Sequence, residues 1–204
     1  MIILGLTGSI GMGKSTAAAT LRRLGVPLFD ADRAVHRLLA PGGGAVARVA
    51  AAFSGTRDEA GGIDRRRLGA RVFGDPAALA RLEAILHPMV RAEERRFIAR
   101  ARARRNPIVV LDVPLLFESG GAERCDSVLV VSAPLFLQRQ RVLRRPGMTE
   151  ARFAAILAQQ MPDAEKRRRA DFVVVTGLGR GLTLRRLKAV LRILRDRQQR
   201  QGEE

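Results

Sequence analysis

The sequence has 204 residues, of which 47% are hydrophobic, a formal net charge of +17 and one cysteine. This length can bury a core in one large domain or a domain with insertions, and no apolar run approaches the roughly 18 residues that a membrane span needs. The N-terminal apolar stretch has no basic lead-in, which argues against a signal peptide. The lone Cys125 cannot form an internal disulfide, so we expect a cytoplasmic protein. Because no apolar run is long enough to span a membrane, we expect no membrane partner.

The positive charge raises the question of nucleic-acid binding. Arginine supplies all but three of the 37 basic residues, and much of the excess lies on two predicted amphipathic helices, 91–105 and 185–200. The chain has no Trp or Tyr, so base stacking would depend on a few Phe side chains. We therefore favour solvated helix faces over a nucleic-acid surface. A basic surface would still attract polyanionic small molecules.

The first predicted strand, 2–6, leads into residues 8–15, which read Gly-Ser-Ile-Gly-Met-Gly-Lys-Ser and open a predicted helix over 14–24. This is the G-x-x-x-x-G-K-S pattern of a phosphate loop, whose backbone N–H groups and helix N-terminus face phosphate oxygens. Lys14 is expected to reach the β- and γ-phosphates, and the Ser15 hydroxyl to bind Mg²⁺. The alternative, a glycine-rich turn that binds nothing, is disfavoured by the complete motif and its context. The residues predicted to contact the nucleotide are Gly8, Gly11, Met12, Gly13, Lys14, Ser15 and Thr16.

Acidic residues follow the second and third predicted strands, 26–29 and 108–111. Asp30 and Asp32 come after the second strand, and one of them can cap the next helix. The other, Asp32, would be placed to take a proton from a hydroxyl near the γ-phosphate. Asp112 closes the third strand, where phosphate-loop proteins carry an acid that holds the magnesium water shell; a helix cap is the alternative.

The remaining predicted strands are 127–131 and 172–175, and the remaining predicted helices are 32–39, 44–53, 64–73, 76–105, 134–144, 149–160, 163–169 and 183–199. Short apolar strands that alternate with helices predict an α/β fold with a parallel sheet covered on both faces. Ligands gather at the carboxyl ends of such strands. The stretch from about 60 to 105 contains no strand and is interpreted as a helical insertion. We expect residues 198–204 to fray.

Basic residues near the transferred phosphoryl group should come from a mobile lid. Arg139 and Arg141 follow the fourth strand on a helix, and their i, i+2 spacing points them in different directions. Arg144 and Arg145 precede a Pro-Gly break that predicts a turn between two lid helices. Alternatively, these arginines are ordinary basic helix ends that complement the helix dipole.

Taken in order, these motifs resemble those of the dephospho-CoA kinases along nearly the whole chain. They are Gly5-Leu6-Thr7-Gly8 with the phosphate loop, Asp30-Ala31-Asp32, Gly62-Ile63-Asp64-Arg65, Leu82-Glu83, His87-Pro88, Asp112-Val113-Pro114-Leu115-Leu116-Phe117-Glu118, Gln138-Arg139-Gln140-Arg141, Gln159-Gln160 and Ala170-Asp171-Phe172-Val173. Most are weak individually. The series is specific because unrelated kinases share only the phosphate loop.

The resemblance implies transfer of the γ-phosphoryl of ATP to the ribose 3′-hydroxyl of dephospho-CoA, with Mg²⁺, in the last step of coenzyme A biosynthesis. It implies a P-loop NTPase three-layer fold with a five-stranded parallel sheet, similar to that of nucleoside monophosphate kinases. We expect a single domain with a core (1–58, 106–135 and 170–204), a helical CoA-side insertion (about 59–105) and a lid (about 136–169). We also expect a monomer or a weak homo-oligomer.

The resemblance also implies roles for individual residues. It makes Asp32 the base, Lys14 the phosphate clamp and Arg141 a lid cation, which are the three catalytic residues. Substrate binding is assigned to Asp32, His87, Asp112 and Leu115, and metal binding to Ser15 and Asp112. His87 is alternatively a residue that ends a helix before Pro88. Thr176 departs from the family's usual Asn in a loop that lies near the adenine of related kinases, which leaves adenine selectivity open.

Two other functions fit parts of the pattern. One is a phosphate-loop kinase for another small acceptor, such as a nucleotide. The other is a phosphate-loop ATPase or GTPase that acts as an RNA-binding switch, suggested by the charge. A GTPase should show an Asn-Lys-x-Asp guanine motif, and the sequence contains none.

Overall fold

The computed structural model, which describes residues 1–201, contains a five-stranded sheet in the order β2-β3-β1-β4-β5. The strands are β1 (Ile2–Thr7), β2 (Leu28–Asp30), β3 (Ile108–Asp112), β4 (Ser127–Ser132) and β5 (Phe172–Val175). β1 is central and pairs in parallel with both β3 and β4, and Leu6 lies opposite Asp112 in the β1–β3 register. The sheet is parallel throughout, as predicted. β3 and β4 are buried along their whole length, which explains their continuous apolar sequences.

The helices lie close to their predicted positions. They are α1 (Lys14–Arg23), α2 (Ala31–Leu39), α3 (Val46–Ala52), α4 (Arg65–Val72), α5 (Pro76–Ala103), α6 (Leu135–Leu143), α7 (Glu150–Ala158), α8 (Asp163–Arg169) and α9 (Arg180–Gln201). A short 3₁₀ helix at Gly121–Arg124 was not predicted. The side chains of Asp30, Asp64 and Thr149 cap α2, α4 and α7 by accepting backbone N–H bonds. Of the segment predicted to fray, 198–201 is helical and 202–204 lies outside the described residues.

α5 corrects one interpretation of His87. The helix has 28 residues and continues through Pro88, so His87 does not end a helix. Proline removes one backbone hydrogen bond and disfavours the helical conformation in the residue before it. Here the turns before Pro88 are held by the buried side chains of Leu82 and Leu86, and this packing overrides the local preference.

By its internal contacts the chain forms two compact units. The first consists of Met1–Phe29 and the described part of 101–204, and the second is Asp30–Arg100. In the first unit, apolar side chains from the sheet pack with α1 and α9; they include Leu4, Leu6, Leu21, Leu129, Leu187 and Leu194. The second unit has its own core, which includes Leu38, Val49, Phe53, Leu68 and Leu82. The predicted insertion, about 59–105, falls mostly within the second unit, which starts earlier; the division into core, insertion and lid stays a prediction.

None of the helices in the part of the chain that the structure describes is both long and apolar enough to cross a membrane.

Candidate active site

The phosphate loop, residues 8–15, connects β1 to α1 and requires glycine for two separate reasons. A Cβ added at Gly8 would lie 2.5 Å from the Val131 carbonyl oxygen, which leaves no room for a side chain. Gly13 has a φ of 92°, in the left-handed region, and a Cβ there would lie 2.8 Å from Thr176 Oγ1. The loop is therefore fixed by backbone contact with β4 on one side and by Thr176 on the other.

Lys14 and Asp112 meet at the carboxyl end of the sheet. Lys14 Nζ donates to Asp112 Oδ1 at 2.6 Å, and the two side chains are 16% and 6% exposed. Their proximity follows from the register, because Asp112 lies opposite Leu6, just before the loop that carries Lys14. Ser15, the next residue, is exposed. Three residues predicted for the phosphate and magnesium chemistry thus share one edge of the first unit.

A cavity of about 460 Å³ opens over this edge. Six of the predicted site residues line it: Gly11, Gly13, Lys14, Ser15, Thr16 and Arg141. Its volume lies within the range of nucleotide-sized pockets. Arg145, one of the arginines beside the predicted lid turn, and Arg180, which was not singled out from the sequence, also line it and supply further positive charge. Gly8 and Met12 are buried instead, and Met12 Sδ accepts a hydrogen bond from the Ala133 N–H at 3.0 Å.

The two predicted lid arginines point in different directions, as their spacing predicts. Arg139 forms an exposed ion pair with Glu150. Arg141 instead donates from Nη1 to the Gly11 carbonyl at 3.3 Å and to Thr176 Oγ1 at 3.1 Å, and from Nη2 to the Thr176 carbonyl at 3.4 Å. Arg141 therefore lies against the phosphate loop, where a cation could reach a bound polyphosphate.

Two glutamines hold the peptide groups of Ile10 in the phosphate loop. Gln138 Nε2 on α6 donates to the Ile10 carbonyl at 2.8 Å, and Gln160 Oε1 after α7 accepts the Ile10 N–H at 3.1 Å. In the sequence, both glutamines stand out only as parts of the family motifs Gln138-Arg139-Gln140-Arg141 and Gln159-Gln160. The two glutamines therefore connect α6 and the segment after α7 to the phosphate loop.

Lys166 was missed by the sequence analysis. Its side chain is fully buried in α8, and Nζ lies 2.9 Å from Glu118 Oε1. Within residues 1–201 the ammonium has no hydrogen-bond partner beyond this ion pair. Glu118 also accepts the Met161 N–H at 2.8 Å. The signal in the sequence was compositional, since Lys166 is one of three lysines in a chain that otherwise uses arginine.

The environment of Glu118 changes its acidity. Burial alone would raise the pKa of this carboxyl, but hydrogen bonds from Lys166 and from the Met161 backbone outweigh it, and the pKa lies below its ordinary value. Glu118 is therefore a charged anchor for the segment that carries Gln160.

The other predicted site residues are exposed. In the second unit, Asp30 is the residue that caps α2, through a 3.0 Å bond from the Arg33 N–H, while Asp32 projects from the first turn. His87 is exposed on α5 and lines a cavity of about 360 Å³ in that unit with Pro88 and two arginines. In the first unit, Leu115 is 41% exposed in the loop after β3. The functional roles of Asp32, His87 and Leu115 stay predictions.

The sequence is similar to those of known kinases, which agrees with the phosphate-loop geometry described above. The sequence profile of the dephospho-CoA kinase family matches residues 2–178. The chain is 67% identical to a dephospho-CoA kinase of Paramagnetospirillum magneticum, over 96% of this chain and 92% of that protein. The chain belongs to the dephospho-CoA kinase family.

Solved structures agree with membership of the dephospho-CoA kinase family. A protein from Thermus thermophilus superposes with a TM-score of 0.83 at 40% identity, over 95% of this chain and 97% of its own. A dephospho-CoA kinase from Campylobacter jejuni superposes with a TM-score of 0.63 at 26% identity, over 94% and 96% of the two chains. The predicted family, kinase class and phosphate-loop fold are thereby confirmed. Neither a kinase for another acceptor nor an RNA-binding switch is supported by these matches.

Proposed function

We propose that this protein transfers the γ-phosphoryl group of ATP to the ribose 3′-hydroxyl of dephospho-CoA, giving CoA and ADP. Family membership supports the reaction, and ATP is the donor in this family. The observation that carries the proposal within the molecule is Lys14, which lines the cavity of about 460 Å³ at the phosphate loop and forms an ion pair with Asp112.

Lys14 and Arg141 are proposed to stabilise the transferred phosphoryl group. Phosphoryl transfer leaves little covalent chemistry to the protein, so the rate depends on alignment and on charges placed around the transferred group. Lys14 would leave Asp112 for the β- and γ-phosphate oxygens, because an anionic ligand offers a better partner than one carboxylate. Arg141 would exchange its carbonyl partners for phosphate oxygens when the lid closes and excludes water.

Magnesium fits the residues at this edge. The Ser15 hydroxyl and the Asp112 carboxylate are hard oxygen donors, and Mg²⁺ typically takes one or two protein ligands with phosphates and waters. No cluster of three or more metal-binding side chains occurs among the described residues, which agrees with a metal held largely by the nucleotide. We propose that Ser15 and Asp112 hold Mg²⁺, which when bound neutralises charge on the phosphates.

Asp32 is proposed as the base that accepts the proton of the ribose 3′-hydroxyl, with His87, Asp112 and Leu115 binding the acceptor. The cap geometry supports this choice between the two carboxylates, because Asp30 is committed to α2 and Asp32 is exposed. A cytoplasmic location and a monomeric or weakly oligomeric state remain predictions from the sequence.

The test is ADP formation from ATP and Mg²⁺, measured with dephospho-CoA, with AMP, with CMP and without an acceptor. We expect strong stimulation by dephospho-CoA alone. We also expect Asp32→Asn to lower turnover by about 10²- to 10⁴-fold, the usual contribution of a general base, with little change in ATP affinity.

The matched control is Asp30→Asn. Asparagine caps helices about as well as aspartate, so this variant removes a neighbouring carboxylate and retains the fold of α2. If both Asn variants lose turnover equally, Asp32 is not a specific base. Absence of stimulation by dephospho-CoA in protein that still binds ATP would overturn the proposed function.

A further inference from the structure

Thr176 follows β5 directly and is held rigidly. Its side chain and backbone are 6% exposed, and its N–H donates to the Ser132 carbonyl of β4 at 2.7 Å. Its hydroxyl donates to the Met12 carbonyl in the phosphate loop at 2.6 Å. The single proton of the hydroxyl is therefore committed to the phosphate loop, and none is left to donate to a nucleotide base.

The same hydroxyl also accepts a hydrogen bond from Arg141. Thr176 supplies two of the three oxygens that receive the Arg141 guanidinium, its Oγ1 at 3.1 Å and its carbonyl at 3.4 Å. The third is the Gly11 carbonyl. A hydroxyl both donates and accepts, so it can complete a chain from Arg141 to Met12 that an aliphatic side chain would interrupt.

The fit around Thr176 is also close. A Cβ added at Gly13 would lie 2.8 Å from Thr176 Oγ1 and 3.3 Å from its Cβ and Cγ2. The phosphate loop thus packs directly on the Thr176 side chain. A larger side chain at this position would have to point elsewhere or move the loop.

We propose that Thr176 is a positioning residue for phosphoryl transfer, which holds Arg141 against the phosphate loop through its hydroxyl. This rests on the proposed function, in which Arg141 stabilises the transferred group. Thr176 acts through Arg141 and does not read the base. The sequence left adenine selectivity open, because Thr176 replaces the family's usual Asn. If Thr176 acts on Arg141, adenine selectivity does not depend on the Thr176 hydroxyl.

The test compares Thr176→Val, which keeps the shape and removes the hydroxyl, with Thr176→Ser, which keeps the hydroxyl. We expect Val to lower kcat by about tenfold or more, the value of a hydrogen bond to a charged group, with a smaller change in the KM for ATP. Ser should retain activity within about threefold of wild type. The preference for ATP over GTP should be the same in all three proteins. Equal losses in Val and Ser, or full activity in Val, would overturn the proposal.

A second measurement tests whether Thr176 acts through Arg141. In an Arg141→Gln background, Thr176→Val should change kcat by less than about twofold, because the partner that it orients is gone. A full additional loss would contradict the proposal.

Failure of the proposed function is distinguishable from failure of this inference. If wild-type protein shows no stimulation by dephospho-CoA, the substrate assignment fails. The coupling is then measured by urea unfolding of wild type, the two single variants and the double variant. Shifts in the unfolding midpoint that do not add support the Thr176–Arg141 coupling, and additive shifts overturn it.

Discussion

Two lysine–carboxylate pairs bracket the segment 112–118, and they differ in how far solvent reaches their ammonium groups. In the Lys14–Asp112 pair the lysine lines an open cavity and its side chain is 16% exposed. In the Lys166–Glu118 pair, called closed here for its lysine, the ammonium is fully buried with no hydrogen-bond partner other than Glu118 within residues 1–201, whereas the Glu118 side chain is 18% exposed. An ammonium–carboxylate pair therefore has a different role at each end of the segment 112–118.

The desolvation of the two ammonium groups explains why the two ion pairs have different roles. An ammonium beside an open cavity can exchange one anion for another at little cost, because water can solvate it while its anionic partner changes. A buried ammonium has already lost its hydration, and removal of its only anion leaves a charge with no compensation. Lys14 is thus suited to bind and release phosphate, whereas Lys166 is suited to hold the base of the predicted lid in place.

The largest effect that follows is on stability. Glu118→Leu leaves the Lys166 ammonium buried without an anion, and we expect it to lower the free energy of unfolding by about 3–5 kcal/mol. Urea unfolding measures this. The control, Glu123→Leu, removes a nearby exposed carboxylate and should cost within about 0.5 kcal/mol. Similar losses in the two variants would show that Lys166 does not depend on Glu118.

The open pair should show the opposite profile, with a loss of activity rather than of stability. Lys14→Met removes a cation from the phosphate site, and we expect kcat to fall by about 10²- to 10³-fold, with weaker ATP binding. The free energy of unfolding should fall by less than in Glu118→Leu, because Asp112, although its side chain is only 6% exposed, has interactions besides Lys14. Arg192→Met, which removes an exposed cation from α9, is the control and should remain active. If Lys14→Met does not fold, the Lys14–Asp112 pair is also required for stability.

The fold and the location of Lys14 and Asp112 could be predicted from the sequence. Strand and helix positions followed from continuous apolar runs and from the glycine and cap signals, and the placement of Lys14 and Asp112 at one edge of the sheet followed from the rule that ligands gather at the carboxyl ends of parallel strands; their direct ion pair was not predicted. A helix through Pro88 was predicted over 76–105, but the alternative that His87 ends a helix could not be decided from the sequence, because the packing of Leu82 and Leu86 is a tertiary effect.

The closed pair could not be derived in the same way. Glu118 and Lys166 are 48 residues apart and lie on a loop and a short helix, so no periodicity or register relates them. The Arg141–Thr176–Met12 chain likewise joins three loops or helix ends. Contacts of this kind depend on side-chain directions at the ends of elements, which local sequence patterns do not specify.

Replacing both members of the closed pair sharpens the comparison. In Glu118→Leu/Lys166→Met no buried charge remains, and apolar replacements of buried ion pairs are often neutral or stabilising. We expect its free energy of unfolding to lie within about 1–2 kcal/mol of wild type, since the backbone N–H groups of Met161 and of residue 118 lose an acceptor. Turnover should nevertheless fall, because Glu118 no longer anchors the segment that carries Gln160. Recovery of stability with full turnover would mean that the pair has no part in holding the phosphate loop.

The smallest expected effect is on pH dependence, and its sign follows from Glu118. Its folded pKa lies below the ordinary value of 4.5, so the unfolded chain binds a proton more readily and stability rises with pH through this range. The contribution is complete above the unfolded pKa and is lost as pH falls through the folded pKa. Wild type should therefore lose more stability than Glu118→Leu/Lys166→Met between about pH 6 and pH 3 in urea unfolding series. Parallel curves for the two proteins would show that this carboxylate has the same proton affinity in the folded and unfolded chains.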